Sequence, residues 1–316
     1  LEEQVLDEKK SQIAHGETVR ETANMVSFMA DVIGIRDDMF IGEGHKYQKT
    51  FMDALEEALP GQVTFDLKNA SNDIPTCGTI VTGFVASNVD LILANATPAL
   101  QAASTATQTI PILGTAVTEY GVALDIKDFN GTVGGNISGT SDLAPLDQQA
   151  DMLLELLPEA QNVGILYCSA EANSVYQADV VKAALEEKGV TVTVYTFADS
   201  NDVATVTQTA CAENDALYIP TDNTAASCTE AINNVAEPAG VPIVAGEEGI
   251  CKGCGIATLS IDYYELGKTT GAMAAKILTG EANVSEMPIE YYQNPVKKYD
   301  VARCEALGIT VPCLLY

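Results

Sequence analysis

The chain has 316 residues, of which 47% are hydrophobic and 19% are charged, and this composition suits a folded protein with enough apolar side chains for two buried sheets. Its 44 acidic residues outnumber its 16 basic residues and give a formal net charge of −28, which repels nucleic acid and anionic lipid. The sequence has no apolar run of the roughly 20 residues that a transmembrane helix requires. Composition therefore argues against nucleic-acid binding, and length favours two lobes.

The first half of the chain alternates helical spacing with short apolar runs. Residues 1–24 are charged and predict a helix, 25–35 predict the first strand, and 36–44 predict an irregular loop. The pattern that follows predicts a helix over 44–59, a strand over 62–67, a helix over 73–87, a strand over 89–94, a helix over 97–107 and a strand over 111–114. Thr97 is the expected N-cap of the last of these helices, because Pro98 suits the first helical position.

The second half repeats this order of strands and helices. It predicts strands over 162–167, 190–197, 216–219 and 243–245, and helices over 174–188, 202–213 and from Asp222. The phrase that runs from Asp90 to Pro98 returns as Asp215 to Asn223, and an Ile-Pro or Val-Pro strand follows each copy. A duplication of this kind predicts two similar α/β lobes.

Three segments are predicted to cross between the lobes, namely 133–142, 257–261 and the tail from about 288. These crossings predict an N-terminal lobe of residues 1–138 plus 260–284 and a C-terminal lobe of residues 139–259 plus 285–316. The predicted fold class is α/β, with two Rossmann-like lobes that contain parallel sheets and are joined by a hinge of crossing strands.

Ligands of parallel α/β sheets bind beyond the carboxyl ends of the strands, and the loops at those ends are polar in this chain. Predicted helix N-termini at Thr97 and Ser174 offer unpaired N–H groups and a positive dipole end, which suit a carboxylate. Glu171, Asp222 and Glu248 could receive an ammonium group. An anion seat beside acidic acceptors describes an α-amino acid better than a phosphate or a neutral sugar. The alternative is that these side chains only cap their own helices.

Residues that catalysis or a cofactor would need do not form a recognisable pattern. The sequence has no nucleophile elbow, no P-loop and no dinucleotide fingerprint, and the adjacent acids Glu247 and Glu248 are expected to point to different sides. Cys251 and Cys254 form a C-x-x-C in a predicted glycine-rich loop, without the second pair that a structural zinc site needs. We expect no enzyme, no cofactor and no metal, and we expect free thiols, with a local disulfide as the alternative.

Six phrases carry a resemblance to a known family. They are Val89-Asp-Leu-Ile-Leu-Ala-Asn-Ala-Thr-Pro-Ala, Gly135-Asn-Ile-Ser-Gly-Thr-Ser-Asp, Ser169-Ala-Glu-Ala-Asn-Ser, Pro220-Thr-Asp-Asn-Thr, Gly246-Glu-Glu-Gly and Ala257-Thr-Leu-Ser-Ile-Asp-Tyr-Tyr-Glu-Leu-Gly. With them, the chain resembles the ABC-transporter solute-binding proteins of the family that includes tryptophan- and tyrosine-binding members. The resemblance implies a type I periplasmic-binding-protein fold, capture of an amino acid or related small solute outside the membrane, and delivery to a permease.

The resemblance also implies roles for the residues that match the family's motifs. In the first lobe, Thr97 and Ala99 would help to seat the ligand carboxylate, with Thr115 and Thr118 beside them. Those that would close on the ligand from the second lobe are Glu171, Asn173 and Ser174, and those that would form the amine side are Asp222, Asn223 and Glu248.

The chain departs from the family pattern in its first lobe. Members have a short tyrosine-containing loop where this chain has residues 36–44, and Glu119-Tyr120 replaces a common Asp-Pro. Because the chain has no tryptophan, an aromatic ligand would have to stack on tyrosine or phenylalanine. The candidates for this stacking are Tyr47, Phe84, Tyr176 and Tyr263.

The resemblance thus implies an extracytoplasmic component of an ABC importer, either periplasmic or a cell-surface lipoprotein. The expected ligand is an amino acid, with aromatic ones among the candidates, captured in the cleft between the lobes. Its expected partners are the small-molecule ligand and the ABC permease subunits. Contact with the membrane is expected only through a lipid anchor, which this sequence lacks, as it lacks a signal segment. The alternative is a ligand-sensing domain of the same fold in a signalling or regulatory system.

Overall fold

A computed structural model of the chain describes residues 32–36, 44–70 and 73–312, with side chains from residue 49 onward. The helix predicted over 1–24, most of the predicted first strand, nearly all of the loop 36–44 and the Tyr47 side chain lie outside the described residues. The chain divides into two compact units. The first contains the described residues up to Ser141 together with Tyr263–Glu290, and the second contains Asp142–Asp262 together with the described residues from Tyr291.

One six-stranded sheet forms the centre of the first unit. Its strands are β1 (Val32–Arg36), β2 (Phe65–Asn69), β3 (Leu91–Asn95), β4 (Ile112–Val117), β5 (Ile137–Ser141) and β11 (Glu290–Tyr291), in the order β11-β5-β4-β3-β1-β2. The pairs formed among β1 to β5 are all parallel. The helices of this unit are α1 (Gly44–Ala58), α2 (Ile74–Ala86), α3 (Thr97–Ala106), α4 (Tyr120–Ala123) and α11 (Tyr263–Leu278), with a short 3-10 helix over Val284–Glu286.

Helices cover both faces of this sheet. All five residues of β3 are buried, as expected for a parallel strand that is covered on both sides. Leu91 packs in one apolar cluster with Phe51 of α1 and Met273 of α11, whereas Ile92 packs in another with Leu100 of α3. Successive strand residues face opposite sides, so the continuous apolar run of β3 follows from its central position.

A second six-stranded sheet forms the centre of the second unit. Its strands are β6 (Asn162–Cys168), β7 (Thr191–Phe197), β8 (Ala216–Ile219), β9 (Ile243–Ala245), β10 (Ala257–Ser260) and β12 (Val296–Tyr299), in the order β12-β10-β9-β8-β6-β7. The pairs are parallel except that β12 runs antiparallel to β10. The helices of this unit are α5 (Leu146–Leu156), α6 (Ala172–Glu187), α7 (Val203–Glu213), α8 (Asn223–Ser227), α9 (Thr229–Ala239), α10 (Glu248–Cys254) and α12 (Val301–Ala306).

The apolar core of the second unit has the same construction. Val163 and Ile165 of β6 pack in one cluster with Leu153 of α5 and Val181 of α6. Two sheets of mainly parallel strands, each in its own unit, confirm the predicted α/β class. None of the helices in the described part of the chain has both the length and the apolar character needed to cross a membrane.

Three local predictions are wrong. Ala96 is the N-cap of α3, and Thr97 is its first helical residue without a capping bond, because the chain turns at Ala96 with φ 78°. Helix α6 begins at Ala172, two residues before Ser174, which lies within its first turn. The C-x-x-C lies in α10 instead of a loop. Glu247 caps the N–H groups at the start of this helix, and this stabilisation exceeds the helix-destabilising effect of its glycines.

Candidate functional site

Two alanines in the first unit hold unusual backbone conformations at the carboxyl ends of neighbouring strands. Ala96 follows β3 with φ 78°, and Ala116 lies near the end of β4 with φ 50°. Residues other than glycine rarely adopt positive φ, and such strain concentrates at functional sites. The N–H of Ala96 donates to the carbonyl oxygen of Thr115 at 2.9 Å, so this hydrogen bond ties the two strand ends together.

The turn at Ala96 opens into the start of α3, where hydrogen-bond donors are left unused. The N–H groups of Thr97 and Ala99 have no acceptor within the described residues, and Pro98 between them has no N–H. Both residues are buried. A buried helix N-terminus with unpaired donors and a positive dipole end is suited to a carboxylate or another small anion.

Buried hydroxyl groups lie next to this helix start. The Thr115 hydroxyl lies 3.2 Å from those of Thr140 and Thr270, which are 2.8 Å from each other. Thr118 is also buried, and its carbonyl oxygen accepts a 2.7 Å hydrogen bond from the Ser141 hydroxyl. The predicted residues Thr97, Ala99, Thr115 and Thr118 thus all lie at the ends of β3 and β4. Sequence patterns did not reveal Thr140 and Thr270, since their partners are far away in the chain.

In the second unit, Glu171 is the N-cap of α6, yet its carboxylate binds a different segment. Oε2 accepts hydrogen bonds from the main-chain N–H and the side-chain amide of Asn223, both at 2.9 Å. Oε1 accepts from the main-chain N–H of Thr224 at 2.8 Å and from its hydroxyl at 2.7 Å. Glu171 is buried and holds the start of α8 against the start of α6.

Asp222 precedes Asn223 and is almost completely buried, with 1% of its surface exposed. Its carboxylate accepts hydrogen bonds of 2.7 Å from the N–H groups of Cys168 and Ala225. Burial and the nearby negative charge of Glu171 raise the pKa of Asp222 to about 7. Neither carboxylate forms an ion pair with a lysine or arginine in the part of the chain that the structure describes. The pair is therefore a buried acidic centre that only neutral donors stabilise.

The other predicted residues of α6 fix the loop between β8 and α8. The side chains of Asn173, Ser174 and Gln177 donate to the carbonyl oxygen of Thr221 at 3.0, 3.3 and 3.0 Å. Oε1 of Gln177 accepts the N–H of Thr221 at 3.0 Å, so both main-chain polar groups of Thr221 are bound. The structure therefore brings together Glu171, Asn173, Ser174, Asp222 and Asn223. Gln177 is the member of this cluster that sequence reasoning missed.

Glu248 lies apart from this cluster, at the start of α10. It forms ion pairs with Lys252 at 3.1 Å and with Lys298 of β12, and although burial raises the pKa of its carboxyl, hydrogen bonds from the two lysines lower it overall. Its neighbour Glu247 is the buried acid, and burial raises the pKa of this carboxyl to about 7. Two lysines already compensate the charge of Glu248, so it is less available to a cationic ligand than Asp222.

Gln149 of α5 is a further buried polar residue that the sequence did not reveal. Its side-chain amide donates to the carbonyl oxygens of Gly246 and Leu259 at 3.0 and 2.9 Å, and its Oε1 accepts the hydroxyl of Tyr218 at 2.5 Å. Gln149 thereby connects the ends of β9 and β10 with β8. It fixes the segment that leads into Glu247 and α10.

Other groups in the described residues have structural roles. Phe84 lies within the apolar core of the first unit and is therefore unsuited to stack on a ligand. Tyr176 packs against the core of the second unit but is only partly buried. Cys251 and Cys254 are free, and burial raises the pKa of both thiols to about 12, which keeps them unreactive. The described residues contain no group of three or more His, Cys, Asp or Glu side chains that could hold a metal ion.

Duplicated parallel sheets with polar strand ends define the class of periplasmic-binding-protein-like folds, and the sequence identifies the family within it. Residues 44–313 match the family described as ABC transporter substrate binding protein. The chain therefore belongs to the ABC transporter substrate-binding proteins, which confirms the resemblance seen in its motifs.

Relatives of known function and structure agree with this assignment. A tyrosine-binding protein of Clostridioides difficile (strain R20291) is 35% identical over 247 residues, which cover 77% of this chain and 71% of that protein. The structure of an ABC domain in complex with L-Trp from Streptococcus pneumoniae is 29% identical, with a TM-score of 0.83, and the match covers 90% of this chain and 96% of that one. The ligand-free, open structure of a substrate-binding protein with adhesive properties from Clostridium difficile is 33% identical, with a TM-score of 0.70. That match covers 90% of this chain and 97% of the other.

A separate match is short. It comprises 57 residues that are 65% identical to YgeW of Escherichia coli (strain K12), a protein named for carbamoyl transfer, and it covers 18% of this chain and 14% of that protein. A match of this extent gives no information about the activity of the chain.

Proposed function

We propose that the chain is the extracytoplasmic solute-binding component of an ABC importer and that it captures an α-amino acid, with preference for an aromatic side chain. In this proposal the first unit holds the ligand carboxylate, the second holds its amino group, and the ligand is released unchanged to the permease. The observation that carries the proposal is the start of α3, where two buried N–H groups have no acceptor within the described residues.

The carboxylate end would bind to the first unit. The N–H groups of Thr97 and Ala99 are the proposed donors. The Thr115 hydroxyl is a third, because it is the acceptor in its 3.2 Å contacts with Thr140 and Thr270, which leaves its own proton for the ligand. Donors to a charged carboxylate form stronger hydrogen bonds than donors to a neutral group. Ala96 supports the proposal in two ways: as the N-cap it has no side-chain acceptor for these N–H groups, and its positive φ is the kind of strain that concentrates at functional sites.

The amino group would bind to the second unit. Asp222 and Glu171 are two buried carboxylates that have no lysine or arginine partner in the described part of the chain, so their negative charge favours a cation nearby. An ammonium group would supply that charge, whereas a phosphate or a carboxylate would be repelled. Opposite charges at the two ends of one small molecule are the signature of an α-amino acid.

Preference for an aromatic ligand rests on the relatives. One is named for tyrosine and another was solved with L-Trp, at 35% and 29% identity to this chain. Tyr176 and Tyr263 remain candidates for stacking, as both side chains are partly exposed. Aromatic pairs contribute about 0.5–1.5 kcal/mol beyond the area that they bury.

Ligand fluorescence offers a direct test, because the chain contains no tryptophan and bound L-tryptophan is then the only indole in the sample. We expect L-tryptophan or L-tyrosine to bind in a screen of the L-amino acids by calorimetry. Saturation at about 100 times Kd should stabilise the fold by about 2.7 kcal/mol. Tryptamine, which lacks the carboxylate, and indole-3-propionate, which lacks the amino group, should bind much more weakly. If no amino acid binds, or if the two truncated analogues bind as well as L-tryptophan, the proposal is wrong.

A further inference from the structure

The contacts of Glu171 suggest a role different from direct ligand binding, within the function proposed above. We propose that Glu171 is a positioning residue, which turns the side-chain amide of Asn223 so that its Oδ1 accepts a hydrogen bond from the ammonium group of the ligand. Glu171 itself does not touch the ligand in this proposal.

Glu171 has no lone pair left for a ligand. An ionised carboxylate offers about four acceptor sites, two on each oxygen. In this structure each oxygen accepts two hydrogen bonds, from Asn223 at Oε2 and from Thr224 at Oε1, with all four distances between 2.7 and 2.9 Å. A ligand amine could bind Glu171 only by displacing one of these donors.

The same bonds fix the orientation of the Asn223 amide. A carboxylate of this kind only accepts, so the side-chain atom that lies 2.9 Å from Oε2 of Glu171 must be the nitrogen of Asn223. Its Oδ1 therefore points away from Glu171. This Oδ1 has no donor within the described residues, and the Asn223 side chain is partly exposed whereas Glu171 is buried.

The backbone around Asn223 is held as firmly as its side chain. Thr221 is bound through both its N–H and its carbonyl oxygen by Gln177 of α6, and the N–H of Asn223 is bound by Glu171. All these partners belong to the first two turns of α6 or to its N-cap. The amide of Asn223 is thus presented in one orientation, and little ordering is needed when a ligand binds.

A double-mutant cycle tests whether Glu171 acts through Asn223. The variants are Glu171→Gln, Asn223→Ala and the two combined, and the measurement is the Kd for L-tryptophan by fluorescence and calorimetry. We expect each single variant to bind about 10-fold more weakly, because each loses a hydrogen bond to a charged group. The double variant should bind no more weakly than Asn223→Ala alone. If the two losses multiply, Glu171 acts on the ligand without Asn223, and the inference is overturned.

Two further measurements show whether ligand affinity depends on the position of the Glu171 carboxylate or only on its charge. Glu171→Asp keeps the negative charge but is one methylene shorter, so it should lose about as much affinity as Glu171→Gln; affinity close to the wild type would overturn the inference. If Glu171→Gln does not fold, Glu171→Asp can take its place in the double-mutant cycle with Asn223→Ala. Binding of indole-3-propionate, which has no amino group, should be unchanged in Asn223→Ala, and an equal loss for both ligands would contradict the role of Oδ1.

A matched pair on the surface serves as the control. The amide of Asn233 donates to Glu237 at 2.6 Å on the exposed face of α9, so Asn233→Ala and Glu237→Gln remove a similar pair. Both should bind L-tryptophan like the wild type. Failure of the wild type itself to bind any amino acid would refute the proposed function, whereas normal binding by the wild type and by Glu171→Gln would refute only the role of Glu171.

Discussion

The hydroxyl of Tyr120 donates a hydrogen bond of 3.0 Å to the carbonyl oxygen of Thr140 and thereby anchors the chain after β4 to β5. Tyr120 is fully buried and lies over two glycines, Gly114 and Gly139, where added Cβ atoms would come within 2.3 and 2.4 Å of its hydroxyl oxygen. The departure from the family pattern at Tyr120 is therefore accommodated by space that these glycines leave. Because Thr140 also contacts Thr115, the tyrosine supports the proposed carboxylate seat.

Gly139→Ala should strongly destabilise the first unit. The added Cβ would lie 2.1 Å from the carbonyl oxygen of Gly114 and 2.4 Å from the hydroxyl of Tyr120, at a φ of 147°. Overpacking and backbone strain together should lower the free energy of unfolding by about 3 kcal/mol or more, measured by urea denaturation. Gly78→Ala in α2 is the control, since its added Cβ would meet no atom within 4 Å. This variant should be as stable as the wild type or more stable, because alanine is favoured over glycine in a helix by up to about 1 kcal/mol. Equal stability of Gly139→Ala and the wild type would contradict this packing.

Gln149→Leu should destabilise the second unit even though leucine is more hydrophobic. The change removes three buried hydrogen bonds and leaves two carbonyl oxygens and the Tyr218 hydroxyl without this partner. We expect a loss of about 3 kcal/mol in the free energy of unfolding, from the cost of unsatisfied buried groups. Gln148→Leu at the exposed neighbouring position should change stability by about 0.5 kcal/mol or less. Similar values for both variants would show that the network contributes nothing.

Thr270→Val tests the hydroxyl cluster beside α3. Valine has nearly the shape of threonine, so the variant removes one hydroxyl from the contacts with Thr140 and Thr115 and leaves the packing in place. Thermal unfolding should show a loss of about 1–2 kcal/mol. Thr207→Val is matched to it, because Thr207 is also fully buried and donates to a helical carbonyl oxygen, that of Val203, at 2.7 Å, without further hydroxyl contacts. It should lose about 0.5 kcal/mol or less, and a loss equal to that of Thr270→Val would argue against a cooperative cluster.

Local patterns predicted much of the fold. The strands predicted over 216–219 and 243–245 have the same bounds as β8 and β9, and the helix predicted over 202–213 differs from α7 by one residue at its start. Each is a continuous apolar run or a clear helical period that ends at glycine, proline or a polar residue. The duplication predicted the order of strands and helices. The rule that ligands bind beyond the carboxyl ends of parallel strands predicted which loops carry the candidate residues.

The roles of individual site residues could not be predicted in the same way. Glu171 looked like a ligand contact because it is an acid in a polar loop, but its four hydrogen bonds come from residues about fifty positions away. Ala96 gave no sequence signal for a turn with positive φ, since alanine normally avoids it. Such details depend on contacts between distant segments, which periodicity and capping rules do not contain.

The buried acid Asp222 should make the stability of the fold depend on pH. Its pKa is raised from the ordinary 3.8 to about 7, by burial and by the charge of Glu171, so the folded state holds a proton that the unfolded chain releases. Below about pH 4 this contribution to stability is fully present, and it is lost as the pH rises through about 7. Glu247, whose pKa is also raised to about 7 by burial, acts in the same direction.

Asp222→Asn should therefore flatten the dependence of stability on pH without abolishing it, since Glu247 remains. Urea denaturation at several values between pH 4 and 8 measures this slope for both proteins, with Glu230→Gln on the exposed side of α9 as the control for removal of a surface charge. The stability of Asp222→Asn relative to the wild type should improve as the pH rises, because only the wild type must bury a charged carboxylate at neutral pH. Parallel curves of stability against pH for the two proteins would mean that Asp222 is equally well solvated in the folded and unfolded states. The proposal that a buried acidic centre attracts the ligand amine would then lose its support.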